Sequence, residues 1–205
     1  MNLKNHWENV YNTKQLNEVS WYQPTPQASL DFIKELNIPP DAAIIDIGGG
    51  DSFLVDHLLA KGFVNITVLD ISEAAINRAK ERLGQKALLV KWVVSDITTF
   101  VPAEKYDFWH DRAAFHFLTT EEQIKKYLDV ANNALLSEGK IVIGTFSENG
   151  PSVCSGLPVK QYSEDTMNEV IKKWFKKIKC IYTDHITPLH KVQHFLFCSF
   201  KKSIA

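Results

Sequence analysis

Three carboxylates carry the first chemical signal in this sequence. Asp46 follows Ala42-Ala-Ile-Ile45, Asp70 closes Ile66-Thr-Val-Leu69, and Asp96 follows Leu89-Val-Lys-Trp-Val-Val94 and Ser95. An ionised carboxylate only accepts hydrogen bonds, so at the end of a strand it can take both hydroxyls of a ribose or the proton of an amino group. Between the first and second acids stand Gly48, Gly49 and Gly50, followed by Asp51 and Ser52. An apolar run ending in an acid and three glycines reads as a buried parallel strand and a tight turn. Bare backbone at the turn and a helix N-terminus then face a ligand.

The details of the turn narrow the ligand. The dinucleotide pattern G-x-G-x-x-G needs glycine at position 53 after Gly48 and Gly50, and Phe53 stands there. No Gly-Lys-Ser/Thr follows, which excludes a P-loop. Asp46 and Asp51 bracket the turn, and a pyrophosphate there would face two negative charges that a helix dipole of about half a charge does not offset. A cationic ligand suits them better. S-adenosylmethionine carries an ammonium and a sulfonium and has no phosphate, and Asp70 and Asp96 are placed for its ribose and its adenine amino group. Asp51 has a plainer alternative, the stabilisation of a helix start.

Asp46-Ile-Gly-Gly-Gly50, Val68-Leu-Asp-Ile-Ser72, Ser95-Asp-Ile97 and a terminal pair of strands resemble the class I S-adenosylmethionine-dependent methyltransferases from about residue 25 to 200. The resemblance implies a Rossmann-like α/β fold, a seven-stranded sheet of order 3-2-1-4-5-7-6 with strand 7 antiparallel and helices on both faces. It implies that Asp46, Gly48, Gly49 and Gly50 approach the methionine part, Asp70 and Ile71 the ribose, and Asp96 and Ile97 the adenine, with His110 close by; S-adenosylhomocysteine would be the product. Ser52 stands where many members have another glycine.

Acceptor chemistry is read from Trp109-His-Asp-Arg-Ala-Ala-Phe-His116, after the fourth strand. Asn/Asp-Pro-Pro-Tyr is absent, so the amino-group methylation that this motif accompanies is not indicated. Asp111-Arg-Ala-Ala-Phe115 is similar to the corresponding segment of thiopurine-type S-methyltransferases. It is similar more loosely to Asp-Lys-Gly-Thr-x-Asp of some protein lysine methyltransferases, with His116 in place of the final acid. His110, Asp111 and Arg112 are the catalytic candidates. His110 is a general base or substrate contact, or a hydrogen-bonded strand-end residue; Asp111 and Arg112 form an ion pair, or Arg112 grips a substrate carboxylate. Trp21, Tyr22, Arg112, His116, Cys154 and Tyr162 are candidates to wall the acceptor.

The elements that must position these groups follow from periodicity. Thr25-Pro26 begins a helix that Pro39-Pro40 stops; Ser72 caps another; Thr120-Glu-Glu-Gln123 is a capping box; and a helix from Ser163 turns Met167, Val170, Ile171, Trp174 and Phe175 inward. Strands are expected at Tyr106–His110, Lys140–Phe146, Ile178–Asp184 and Gln193–Phe200, the last two as an antiparallel hairpin. The irregular stretch 147–162 and an N-terminal segment, 1–25, are expected over the pocket, with Trp7 packed outside the main core.

With 205 residues, 45% of them hydrophobic, the chain suits one domain spanning 1–205. A net charge of −1 gives no reason to expect nucleic acid or an acidic membrane as partner. The start of the chain has no signal-peptide core, and Cys154, Cys180 and Cys198 show neither a disulfide framework nor metal spacing, so a cytoplasmic protein with reduced thiols and no metal is expected. A small-molecule acceptor is expected first, a protein lysine second. A nucleoside-binding protein without catalysis is the alternative of another class.

Overall fold

A computed structural model describes residues 2–203. Its centre is a sheet in which β1 (Ile44–Ile47), β2 (Ile66–Asp70), β3 (Val90–Val94), β4 (Tyr106–Arg112) and β5 (Leu135–Phe146) are parallel. Strands β6 (Phe175–Ile186) and β7 (Val192–Lys202) form a hairpin, and β7 inserts antiparallel beside β5. The order is β3-β2-β1-β4-β5-β7-β6, as the resemblance implied.

The parallel strands are apolar on both sides because both faces are covered. Ile44, Val68 and Phe108 meet α2 (Gln27–Glu35) and α3 (Leu54–Ala60) through Phe32, Ile33, Val55 and Leu58. Ile45, Trp109 and Ile141 meet α5 (Glu121–Ala134) and α6 (Glu164–Ile171) on the other face. The remaining helices, α1 (Leu3–Thr13) and α4 (Glu73–Leu83), pack on each other at the carboxyl ends of β1–β3.

Local signals placed several ends well. Ser72 Oγ accepts from Ala75 N–H, and Thr120 with Gln123 closes its capping box. Elsewhere neighbours overrode them. Pro26 rather than Thr25 caps α2, and residues 84–89 form a 3-10 turn, so β3 starts at Val90 instead of Leu89. Trp174 and Phe175 lie beyond α6; Phe175 opens β6 and is buried in the core.

The three thiols expected from the sequence are corrected by the hairpin. Its register sets Cys180 opposite Cys198, and the two are joined in a disulfide, leaving Cys154 as the free cysteine, buried. Eighteen residues of separation hid this pairing, because it depends on where the turn falls. Among the described residues no helix is long and apolar enough to cross a membrane, and no cluster of His, Cys, Asp or Glu could hold a metal ion.

Candidate functional site

A cavity opens at the carboxyl ends of the strands, where the order changes direction between β1 and β4. Asp46, Gly48, Gly49, Asp70, Ile71, Asp96 and Ile97 line one side. Trp21, Tyr22, His110, Arg112 and Cys154 line it as well, so the fold brings together most of the candidates scattered over the sequence.

The glycine turn is as tight as its composition suggested. Gly48 has φ +65°, and a Cβ there would stand 2.8 Å from that of Ala114; a Cβ on Gly50 would meet Ala75 and the Asp70 carboxylate. Gly50 does not line the cavity. Its N–H donates to Asp70 Oδ2 at 3.0 Å, and Ser72 N–H donates to Oδ1 at 2.8 Å, so the turn fixes the carboxylate. Burial nevertheless dominates and lifts the Asp70 pKa to about 6, with Asp46 and Glu8 adding repulsion.

Asp46 and His110 are opposite each other in the β1–β4 register. His110 Nδ1 lies 2.7 Å from Asp46 Oδ1, and Nε2 lies 2.8 Å from Ser29 Oγ on α2. An ionised Asp46 requires Nδ1 to be the donor. Both ring nitrogens are thus engaged, which removes His110 from the role of free general base and makes it the group that orients Asp46. Asp46 Oδ2 is left buried, without a partner among the described residues, at the cavity wall.

The electrostatic reading of Asp51 is corrected. Arg78 Nε at 3.2 Å and Arg82 Nη1 at 2.7 Å pair with it, so it does not present a bare charge to a ligand. Burial raises its pKa despite the two arginines. Asp46 and Asp70 carry the negative side of the cavity. Asp96 Oδ1 accepts from Thr98 N–H and Oγ1–H at 2.8 and 2.7 Å.

Asp111, His116 and Tyr162 do not reach the cavity. Asp111 is buried, accepts from Ala114 and Phe115 N–H and from Tyr127 Oη–H, and forms no ion pair with Arg112. It organises the turn after β4, where Ala113 has φ +69°. His116 Nδ1 accepts from Phe146 N–H, and burial lowers its pKa to about 3, so the ring is neutral. Tyr162 packs against Phe115 in the core. Cys154 does reach the cavity, on a short ribbon pairing Val153–Cys154 with Leu157–Pro158. Ser155 and Gly156, at φ 51° and 78°, make its two-residue turn.

Several contributors were missed. Trp7 joins neither of the two core clusters, as expected, but it is buried, lines the cavity and packs edge-on to Trp21 and Phe117. Glu8 accepts from Glu73 N–H at 2.7 Å and from Ala74 N–H and Ser72 Oγ–H at 3.1 Å, holding α1 against the start of α4. Ser29, Gln193 and Phe195 also had no local signature.

Comparison with known proteins agrees with the fold. Residues 44–139 match the family model described as a methyltransferase domain. The chain is 29% identical over 165 residues to malonyl-[acyl-carrier protein] O-methyltransferase 1 of Ilyobacter polytropus, covering 75% of this chain and 60% of that one. It is 26% identical over 96 residues to EEF1A lysine methyltransferase 2 of Mus musculus, covering 43% and 39%. The chain thus spans about three fifths of the first of these relatives and less of the second. Among solved structures, the 1,6-didemethyltoxoflavin-N1-methyltransferase of Burkholderia thailandensis, with bound S-adenosylhomocysteine, superposes with a TM-score of 0.77 at 17% identity over 98% of this chain and 88% of that one. Residues 44–139 are thus similar to a methyltransferase domain, and the solved methyltransferase structure shares the fold of the whole chain.

The residues present fit S-adenosylmethionine. Asp46 keeps a buried, unpartnered carboxylate oxygen that could accept from an ammonium, and Asp70 and Asp96 line the cavity as carboxylates that could accept from hydroxyl or amino groups.

Proposed function

We propose that this chain binds S-adenosylmethionine across β1–β3 and transfers its methyl group to a small molecule held beneath α1 and the Trp21–Gln23 segment. One observation carries the reading: carboxylates at the ends of three successive strands line a single cavity with the glycine turn, and Asp46 keeps an unpartnered oxygen there. S-adenosylmethionine supplies an electrophilic methyl carbon on a sulfonium. The chain's part is to align a nucleophile and exclude water. Asp46, held by His110, which Ser29 in turn fixes, orients the methionine end; Trp7, Tyr11, Trp21 and Phe117 close the site to solvent. With both of its nitrogens occupied, His110 is not the base that activates the acceptor.

A lysine acceptor is the rival, as the similarity to a lysine methyltransferase suggests. The only Arg or Lys lining the cavity among the described residues is Arg112, which repels an incoming ammonium and favours the small-molecule reading. The test is incubation with methyl-labelled S-adenosylmethionine and fractionated cell extract. Label in small molecules is expected; label in protein supports the rival. Calorimetric absence of binding to both S-adenosylmethionine and S-adenosylhomocysteine would reject the cofactor. Binding without transfer to any fraction would favour a non-catalytic nucleoside binder.

A further inference from the structure

Arg112 bears a charge with no ion-pair partner among the described residues. Its Nη1 donates to the Trp21 carbonyl at 3.1 Å, whereas Nη2 is buried without a partner among the described residues. A guanidinium remains charged in proteins and is weakly accommodated when desolvated and unpaired. The acid that bears on it, Asp46, is on β1 and already accepts from His110.

Position distinguishes this cation from the cofactor groups. The guanidinium lies over the Phe195 ring of β7, 5.4 Å from its centroid, and β7 follows β5 in the sheet. Asp70 and Asp96 belong to the other end of the cavity, beside β2 and β3. Phe195 lies beneath the guanidinium, Phe146, Cys154 and Gln193 line the same cavity without charge, and His116 and His185, whose pKa values burial and Arg112 both lower, are its titratable neighbours. One free guanidinium edge without a second Arg or Lys suits a monoanion better than a phosphate.

We propose that the methyl acceptor carries a carboxylate that Arg112 binds through Nη2, with an apolar or aromatic body against Phe146 and Phe195. This rests on the methyltransferase reading and names its acceptor class. The carboxylate is an anchor, and Arg112 is a specificity-determining residue.

The experiment is calorimetry on protein saturated with S-adenosylhomocysteine, using phenylacetate, 4-hydroxybenzoate and octanoate against their carboxamides, and phenyl phosphate. Wild-type protein is expected to bind at least one acid about tenfold more tightly than its amide. Arg112→Gln is expected to abolish that preference while leaving affinity for S-adenosylhomocysteine within about twofold, and Arg112→Lys to restore part of it. Equal binding of every acid and its amide by wild-type protein overturns the proposal and needs no folded variant. So does tighter binding of phenyl phosphate. A loss of S-adenosylhomocysteine affinity in Arg112→Gln with the preference intact also overturns it, since the arginine then serves the cofactor's own carboxylate. Failure of wild-type protein to bind S-adenosylhomocysteine appears in the preceding titration and rejects the underlying reading instead.

Discussion

At the residue scale, Asp70 couples burial to binding. Its pKa of about 6 lies above the ordinary value of about 3.9 for an unfolded chain, chiefly because water is excluded. The folded protein therefore holds this proton more tightly between those values, and the group's contribution to stability declines as pH rises through that window. Binding runs the other way, because ribose hydroxyls donate to the ionised form. S-adenosylhomocysteine affinity is expected to be flat above pH 7 and to weaken below 6 by up to about tenfold per unit. Asp70→Asn is expected to bind weakly with a flatter profile; calorimetry from pH 5 to 8 checks both. Asp70 was legible because a strand end announces itself locally. Ser29 was not: its hydrogen bond to His110 spans 81 positions, and on α2 it looks like any small residue.

At the element scale, α1 is tied to α4 at two points. The Glu8 carboxylate occupies the N-terminal amides of α4, where the helix dipole favours negative charge, and Arg78 Nη1 donates to the Tyr11 and Lys14 carbonyls at 3.2 and 3.0 Å. Since α1 also carries Trp7 and Tyr11 to the cavity, these ties act on the cover of the site. Glu8→Ala removes a cap worth about 1 kcal/mol. Faster S-adenosylhomocysteine release in stopped flow and faster tryptic cleavage at Lys14 are expected, with Glu8→Gln intermediate. Unchanged release would show that α1 does not gate the site. The order of elements was readable because apolar periodicity, caps and glycines are local. The latch and the Cys180–Cys198 bridge were not, because each joins residues whose proximity exists only after helices dock or a hairpin takes its register.

At the scale of the whole molecule, the sheet divides the cavity by charge. Acids at the ends of β1, β2 and β3 lie on one side; Arg112 over the aromatic surface of β7 lies on the other, with the turn after β4 between them. The sequence carried the first half through its acids and glycines. The second half draws on β4, the 147–162 stretch and the hairpin, segments with no shared local motif. A ligand that bridges strands on one side and is covered by α1 binds the folded chain alone, so occupancy adds to global stability. At a hundred times its dissociation constant, S-adenosylhomocysteine is expected to add about 2.7 kcal/mol, a Tm increase of roughly 5–10 °C for a chain of this size. NADH at the same concentration is expected to give no increase, because Asp46 and Asp70 oppose its pyrophosphate at the turn. Differential scanning fluorimetry checks the pair. A rise with NADH equal to that with S-adenosylhomocysteine would mean that the glycine turn accepts phosphate and that the acids do not select the ligand.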